Sequence, residues 1–544
     1  MDFHQRQQER LSSKSVFYNS PCYEFLSPFR PVQNQWVIKY IITIFAILIR
    51  SAVSLGGYSG HANPPFFGDF EAQRHWLDLT INLPISKWYY YKLGYWGLDY
   101  PPLTAYHSYF FGFIGKFIRP GWFQLDNTNG IENDDLKNFM RLTVLISDVL
   151  IYFSAVYFFT FCFFKSNKKI TTNGSQGWKK FNSLNQSITI VLILFQPCLI
   201  LIDHGHFQYN SVMLGLVLFS IVSLLYDQLS IASFFFILAI SFKQMALYYS
   251  PVIFFYILSL CFNPFQKRFD FPRLFAVAFS VILTLVVMFA PLVIFNNNFK
   301  DGLLNIKQAL IRIFPFERGL FEDKVANFWC VTNILVKYRT LFDLSTLKTL
   351  SLGFTLLSIL PSCLVIYFHP RKNLIPIAFA SCSWGFYFFS FQVHEKSILL
   401  PLMPTTLLLS NVNDDEIFKM VCWVNNIGLF SLYPLLKKDE LVLQYFVIGF
   451  LMNWLIGNLN INCVVNNFKN LFKVKENSIK NWSINFVIIS STVLALILHG
   501  MEVFLNPPSR YPDLWVVLNI SFSFACFSTF WFWLNIRMFQ IRNN

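Results

Sequence analysis

Apolar stretches of roughly the length that crosses a bilayer, about 20 residues, recur from residue 37 to residue 535 with short polar segments between them. Their apolar positions are consecutive and do not alternate with period two, which argues against a membrane β-barrel. The pattern predicts an all-α polytopic membrane protein with about fourteen transmembrane helices. The first is expected at 37–55 and the second at 138–164. A third ends at LIDHGHFQYN and a fourth runs down to Asp227. The run 230–262 is interrupted by SFKQMALYYSP, where Lys243 and Gln244 mark a break. Further spans are expected at 274–295, before HPRKN, up to FQVHEKS, and at 398–410, 417–436, 440–460, 484–504 and 514–535.

The polar positions divide the chain. Residues 1–36 read as a tail, and 537–544 as a second one. Between them lie a module at 37–345, with long loops at 56–137 and 296–345, and a run of further helices at 346–536. Two stretches in the first loop, near 69–92 and 103–118, are apolar on one face and are expected to lie along the membrane surface.

Charge gives this topology a direction. The 544 residues have a mean hydropathy of +0.46 and 13% charged positions, yet a net charge of +14. The Lys and Arg residues cluster in alternate loops, among them Lys165, Lys168, Lys169, Lys179 and Lys180, then NPFQKRFDFPR and HPRKN. That is the signature of loops retained on the cytosolic side beside anionic lipid, and not of a nucleic-acid-binding surface. Both termini are then cytosolic, and the first span acts as an uncleaved signal anchor. The sequons at Asn173, Asn185 and Asn481 fall in cytosolic loops or at a membrane edge and are expected to stay unglycosylated. Cys162, Cys198, Cys261, Cys382, Cys422 and Cys526 sit inside apolar runs as packing residues, without disulfide or metal spacing.

With this parity the chemistry-bearing motifs gather on the opposite, non-cytosolic face: GDFEAQRHW, LGYWGLDYPPLTAY, DHGHFQYN, the 314–329 segment and VHEKS. Ionisable residues concentrated at one edge of an apolar chain mark a functional site. Asp69 is either the N-cap of a surface helix or a general base that takes a proton from a sugar hydroxyl; the two roles are compatible. Glu71 with His75, and Arg74 with Asp78, have the spacing of i,i+4 helix pairs, and Glu71, Arg74 and His75 are also candidate substrate contacts. Asp99 either starts a turn before Tyr100-Pro-Pro or binds sugar hydroxyls, with Trp96 and Tyr100 stacking on sugar faces. His204, His206 and Gln208 suit polar contacts to sugar or phosphate; no cysteine accompanies them, so no metal is expected. Arg318, Lys324, His394 and Lys396 are candidates for holding a phosphate. Lys243 and Lys396 could alternatively extend to the interface. The chain has neither a Gly-rich phosphate loop nor a D-x-D sequence, and no cofactor is expected.

The segments GDFEAQRHW (68–76), WGLDYPPLTAY (96–106), DHGHFQYN (203–210), ISFKQMALYYSP (240–251) and HEKSILLPLMP (394–404) resemble those of the endoplasmic reticulum α-1,3-glucosyltransferases that use dolichyl-phosphate-glucose. These belong to the GT-C class of integral-membrane glycosyltransferases. The resemblance is nearer to members that add the first glucose than to the second-glucose paralogues, which share the motifs. It implies an inverting, metal-independent transfer of glucose to a mannose of a dolichyl-diphosphate-linked oligosaccharide. Asp69 is the implied base, and membrane lipids surround both polyprenyl tails. From another class, a lipid or sugar transporter predicts ionisable groups near the midplane and internal symmetry; Asp148 is the main acidic residue inside a span.

Overall fold

In hydrocarbon a segment must satisfy its own backbone polar groups, and a helix does so within one stretch. The computed structural model describes residues 15–18, 20–29, 35–167, 176–263, 268–314, 324–459 and 479–543. Seven helices among them are long and apolar enough to cross a membrane: Gln35–Ser54, Asp134–Lys165, Gln244–Cys261, Phe271–Ile294, Leu344–Phe368, Asn481–Phe504 and Leu514–Arg542. An eighth candidate is the pair Ser183–Leu194 and Pro197–Phe207, bent by 44°, where Pro197 withholds the N–H that would continue the first helix. Asn210–Leu225, Leu229–Phe242 and Val442–Leu455 are shorter apolar helices. The expected break at Lys243 is present: Leu229–Phe242 ends there, and the chain restarts with the Gln244–Tyr249 3₁₀ turn. Two short strands, Phe262–Asn263 and Arg268–Phe269, pair antiparallel with Phe262 opposite Phe269.

The solvent these helices suit is read from their outer faces. Phe271–Phe289 exposes Phe275, Phe279, Ile282 and Val286, an apolar face that fits lipid and not water. Gln35–Ser54 buries Ile38, Ile42, Ala46, Arg50 and Val53 at helical spacing and turns Tyr40, Ile44 and Leu48 outward. Arg50 in the buried stripe is matched by Asp148: Nε donates to Oδ2 at 2.5 Å. His204 Nε2 lies 2.9 Å from the same oxygen. The acidic exception inside a span is thus part of a buried ion pair between helices.

Packing inside follows the apolar pattern. Trp384 sits against Phe527 and Phe530, with ring centroids 4.9 and 5.9 Å away. The cysteines at 162, 198, 261, 382, 422 and 526 are buried and free, as expected. Asn185 is fully buried, and its Oδ1 accepts from Ser15 Oγ at 2.9 Å, which leaves this sequon no room for a glycan. Asn173 and Arg318 lie outside the described residues.

Candidate active site

The Gly68–Asn82 helix starts on two successive residues of positive φ, its N-cap Phe67 (φ 56) and its first residue Gly68 (φ 67). A Cβ on Gly68 would meet the Ser59 carbonyl at 2.7 Å, so the close approach and the positive φ both require glycine. Phe67 offers no side-chain cap. Ser59 Oγ takes that role from ten residues upstream, accepting from the Asp69 N–H at 3.1 Å. The capping role considered for Asp69 is therefore overturned: Asp69 lies inside the first turn, and its carboxylate engages other elements. Ser59 also donates its N–H to the His206 carbonyl at 2.9 Å, which ties the helix start to the Leu201–Phe207 segment.

Three donors converge on one oxygen of Asp69. Oδ2 lies 2.9 Å from His206 Nε2 and accepts from Gln208 Nε2 at 2.6 Å; Lys396 makes an ion pair with the same atom. Among the described residues Oδ1 receives no hydrogen bond. Burial pushes the Asp69 carboxyl up, but Lys396 beside it and the His206 contact outweigh this and hold it well below the usual carboxylate range. It is ionised at neutral pH.

Behind this cluster Lys243 is buried, donating to Gln208 Oε1 and Asn210 Oδ1 at 2.8 Å each. The alternative in which Lys243 extends to the interface is overturned by these bonds. The ammonium also sits 5.0 Å from the Tyr100 ring centroid, a cation–π contact. Tyr100, Gln208, Asn210, Lys243, His394 and Lys396 line one cavity. Five residues singled out in the sequence thus meet around a hollow beside Asp69, with Asn210 as an added partner. Asp99 acts electrostatically on Lys243.

Other expected site residues are held elsewhere. Arg74 forks onto Glu71, Nε to Oε2 at 2.7 Å and Nη2 to Oε1 at 2.8 Å, while Nη1 reaches Asp78 Oδ2 at 3.2 Å. Tyr95 Oη donates to Glu71 Oε1 at 2.9 Å. The expected Glu71–His75 pair does not form, because the bidentate guanidinium one turn away claims both carboxylate oxygens. His75 is buried with neither ring nitrogen hydrogen-bonded among the described residues. Its desolvation, with the Arg74 charge beside it, lowers its pKa to about 4. His204 turns to Asp148 and not to Asp69. Lys324 pairs with Asp513 at 2.5 Å on the exposed surface, so it is corrected from phosphate ligand to surface ion pair. Trp96 donates its indole N–H to the Phe66 carbonyl at 2.5 Å. His204 and His206 have separate carboxylate partners, and among the described residues no group of three His, Cys, Asp or Glu side chains is placed to hold a metal ion.

Sequence reasoning missed Ser59, Asn210 and Asp439. Asp439 Oδ2 lies 2.5 Å from His206 Nδ1. Its signal was topological: the break between the spans at 417–436 and 440–460 falls on the same face as the other motifs.

Comparison with known proteins supplies the context for this geometry. The sequence model of the ALG6, ALG8 glycosyltransferase family matches residues 41–533. A Saccharomyces cerevisiae protein named dolichyl pyrophosphate Man9GlcNAc2 alpha-1,3-glucosyltransferase is 47% identical over 97% of this chain and 96% of its own length. A Schizosaccharomyces pombe protein with the same name, prefixed "probable", is 44% identical over 97% of each chain. The Gallus gallus protein of that name is 38% identical over 92% of this chain and 97% of its own.

Proposed function

This chain belongs to the ALG6, ALG8 glycosyltransferase family, and from that premise we propose that it is a dolichyl-pyrophosphate-Man9GlcNAc2 α-1,3-glucosyltransferase whose base is Asp69. The observation that carries the site assignment is the Asp69 carboxylate, pinned at Oδ2 by three donors, with Oδ1 left to receive a proton beside a cavity carrying Lys243, His394 and Lys396. The relatives' names supply the acceptor, and the donor is dolichyl-phosphate-glucose.

In the reaction the acceptor mannose hydroxyl gives its proton to Asp69 as its oxygen bonds to C1 of the donor glucose. The C1–O bond to phosphate breaks on the opposite face, so the β-linked sugar becomes α-linked and dolichyl phosphate leaves as an anion. That leaving group needs positive charge, not protonation. One carboxylate therefore suffices where a glycosidase needs two, and positioning with fixed charge carries the rate. Lys396 and Lys243 line the cavity and are the cations assigned to that task. Movement of Lys396 from Asp69 toward the incoming phosphate would also make Asp69 the stronger base at the moment it is needed.

The architecture is of the GT-C type. Seven helices, or eight with the bent pair, are long and apolar enough to cross; the count of about fourteen takes the shorter apolar helices and those at 375–389, 399–407 and 415–431 as further spans. The catalytic module is 37–345, further helices occupy 346–536, both tails are cytosolic, and the site faces the lumen of the endoplasmic reticulum. Purified protein given dolichyl-phosphate-glucose and the nine-mannose lipid-linked acceptor should form one α-1,3-linked glucose without added metal. Transfer from UDP-glucose instead, or a β-linked product, would overturn the reading.

A further inference from the structure

His206 stands between two carboxylates contributed by segments far apart in the chain. Nε2 lies 2.9 Å from Asp69 Oδ2 and Nδ1 lies 2.5 Å from Asp439 Oδ2. The ring and Asp439 are both buried. A lone pair on either nitrogen would face a carboxylate oxygen, so this arrangement favours a proton on each nitrogen and a charged ring. The turn bearing Asp439 is fixed from behind. A Cβ on Gly57 would meet the Asp439 carbonyl at 2.3 Å, and Arg141 Nη2 clamps both the Gly57 and Gly205 carbonyls, at 2.9 and 2.6 Å. The Asp439 carboxylate is thus anchored against the segment that carries His206.

We propose that Asp439 is a positioning residue for the transfer: through His206 it fixes Oδ2 of Asp69, so that Oδ1 is the oxygen presented to the acceptor hydroxyl. This rests on Asp69 being the base. Without the Asp439 carboxylate the ring becomes neutral, and one of its two tautomers turns a lone pair toward Asp69. Oδ2 then keeps only Gln208 and Lys396, and a lone pair facing it pushes the carboxylate from its position; misplacement on the order of 1 Å can cost about 10²-fold in rate. Asp439 is buried behind His206 and does not line the cavity beside Asp69, so substrate binding is expected to be unaffected.

The test is steady-state kinetics on the full-length purified protein with dolichyl-phosphate-glucose and the lipid-linked nine-mannose acceptor, for Asp439→Asn, His206→Gln, the double variant and Asp69→Asn. The expected result is a kcat lower by about tenfold or more in Asp439→Asn with both KM values within about twofold of wild type. The double variant should be no slower than His206→Gln alone, since the carboxylate acts only through the ring. An unchanged kcat, a loss confined to KM, or additive losses in the double variant would each overturn the proposal. Should Asp439→Asn fail to fold, His206→Gln decides, because it removes the same pin; wild-type kcat there overturns it. Asp69→Asn separates the two levels: turnover surviving in that variant defeats the base assignment itself. Turnover lost there but kept in Asp439→Asn defeats only the role of Asp439.

Discussion

Gln208 donates its side-chain amide to Oδ2 of Asp69 at 2.6 Å, and the orientation of that amide is set by Lys243, which holds its other end. A hydrogen bond to a charged partner contributes about 1.5–3 kcal/mol. Gln208→Leu removes the donor and also leaves Lys243 with one acceptor fewer. The expected outcome is a kcat reduced roughly 10- to 100-fold, measured with saturating donor and acceptor. Unchanged kcat would show that this bond does not support the reacting carboxylate.

The acid limb of the rate profile reports on Lys396. The Asp69 carboxyl is held well below the usual carboxylate range, with Lys396 the largest opposing influence to burial; His206 and Gln208 also face it. Because the folded-state value is depressed, its contribution to stability is complete above the unfolded value, about 3.9, and is lost as pH falls below it. Lys396→Met removes that influence. The acid limb of kcat/KM should then move to higher pH, and a limb that stays in place would contradict the pairing.

His75 gives a stability window of its own. Burial and the Arg74 charge lower its pKa to about 4 from an ordinary 6.5. The neutral ring is the folded form, so its contribution is full above pH 6.5 and declines as pH falls toward 4. In His75→Phe the thermal midpoint of the purified protein should fall less over that interval than in wild type. Parallel curves for the two proteins would exclude the effect.

Arg74 is expected to act on folding rather than on turnover. Its guanidinium is buried against Glu71 and Asp78 on its own helix and reaches Thr128 Oγ1 at 3.3 Å across the loop. Removing one partner of a buried charged network costs on the order of 3–5 kcal/mol. Arg74→Ala should therefore lower the yield of folded protein and its thermal midpoint. The fraction that folds should keep a near-normal KM for both substrates.

Much of this arrangement was legible in the chain because lipid imposes simple rules. Continuous apolar runs had to become helices, and Lys243, a charge within such a run, marked a real break with a buried partner set. The alternation of basic loops placed Asp69, His206, Gln208 and Lys396 on one face, and they meet there. Which partners they choose was not legible. Glu71 was expected to pair with His75 by its spacing, and the fork of the Arg74 guanidinium took both of its oxygens instead. Asp439 sits 233 residues from His206, a contact created by how the helices pack and written in no local pattern. Lys324 had the right residue type near the right segment, but its neighbour in space is Asp513.

The most direct measurement is glucose transfer by the Asp69→Asn variant of the purified protein, with dolichyl-phosphate-glucose and the nine-mannose lipid-linked acceptor. The amide has the shape of the carboxylate and cannot take the hydroxyl proton. General base catalysis contributes typically 10²–10⁴-fold, so kcat should fall by about that factor while the thermal midpoint shows a folded protein. Turnover at the wild-type rate in a folded Asp69→Asn variant would contradict the assignment of the base.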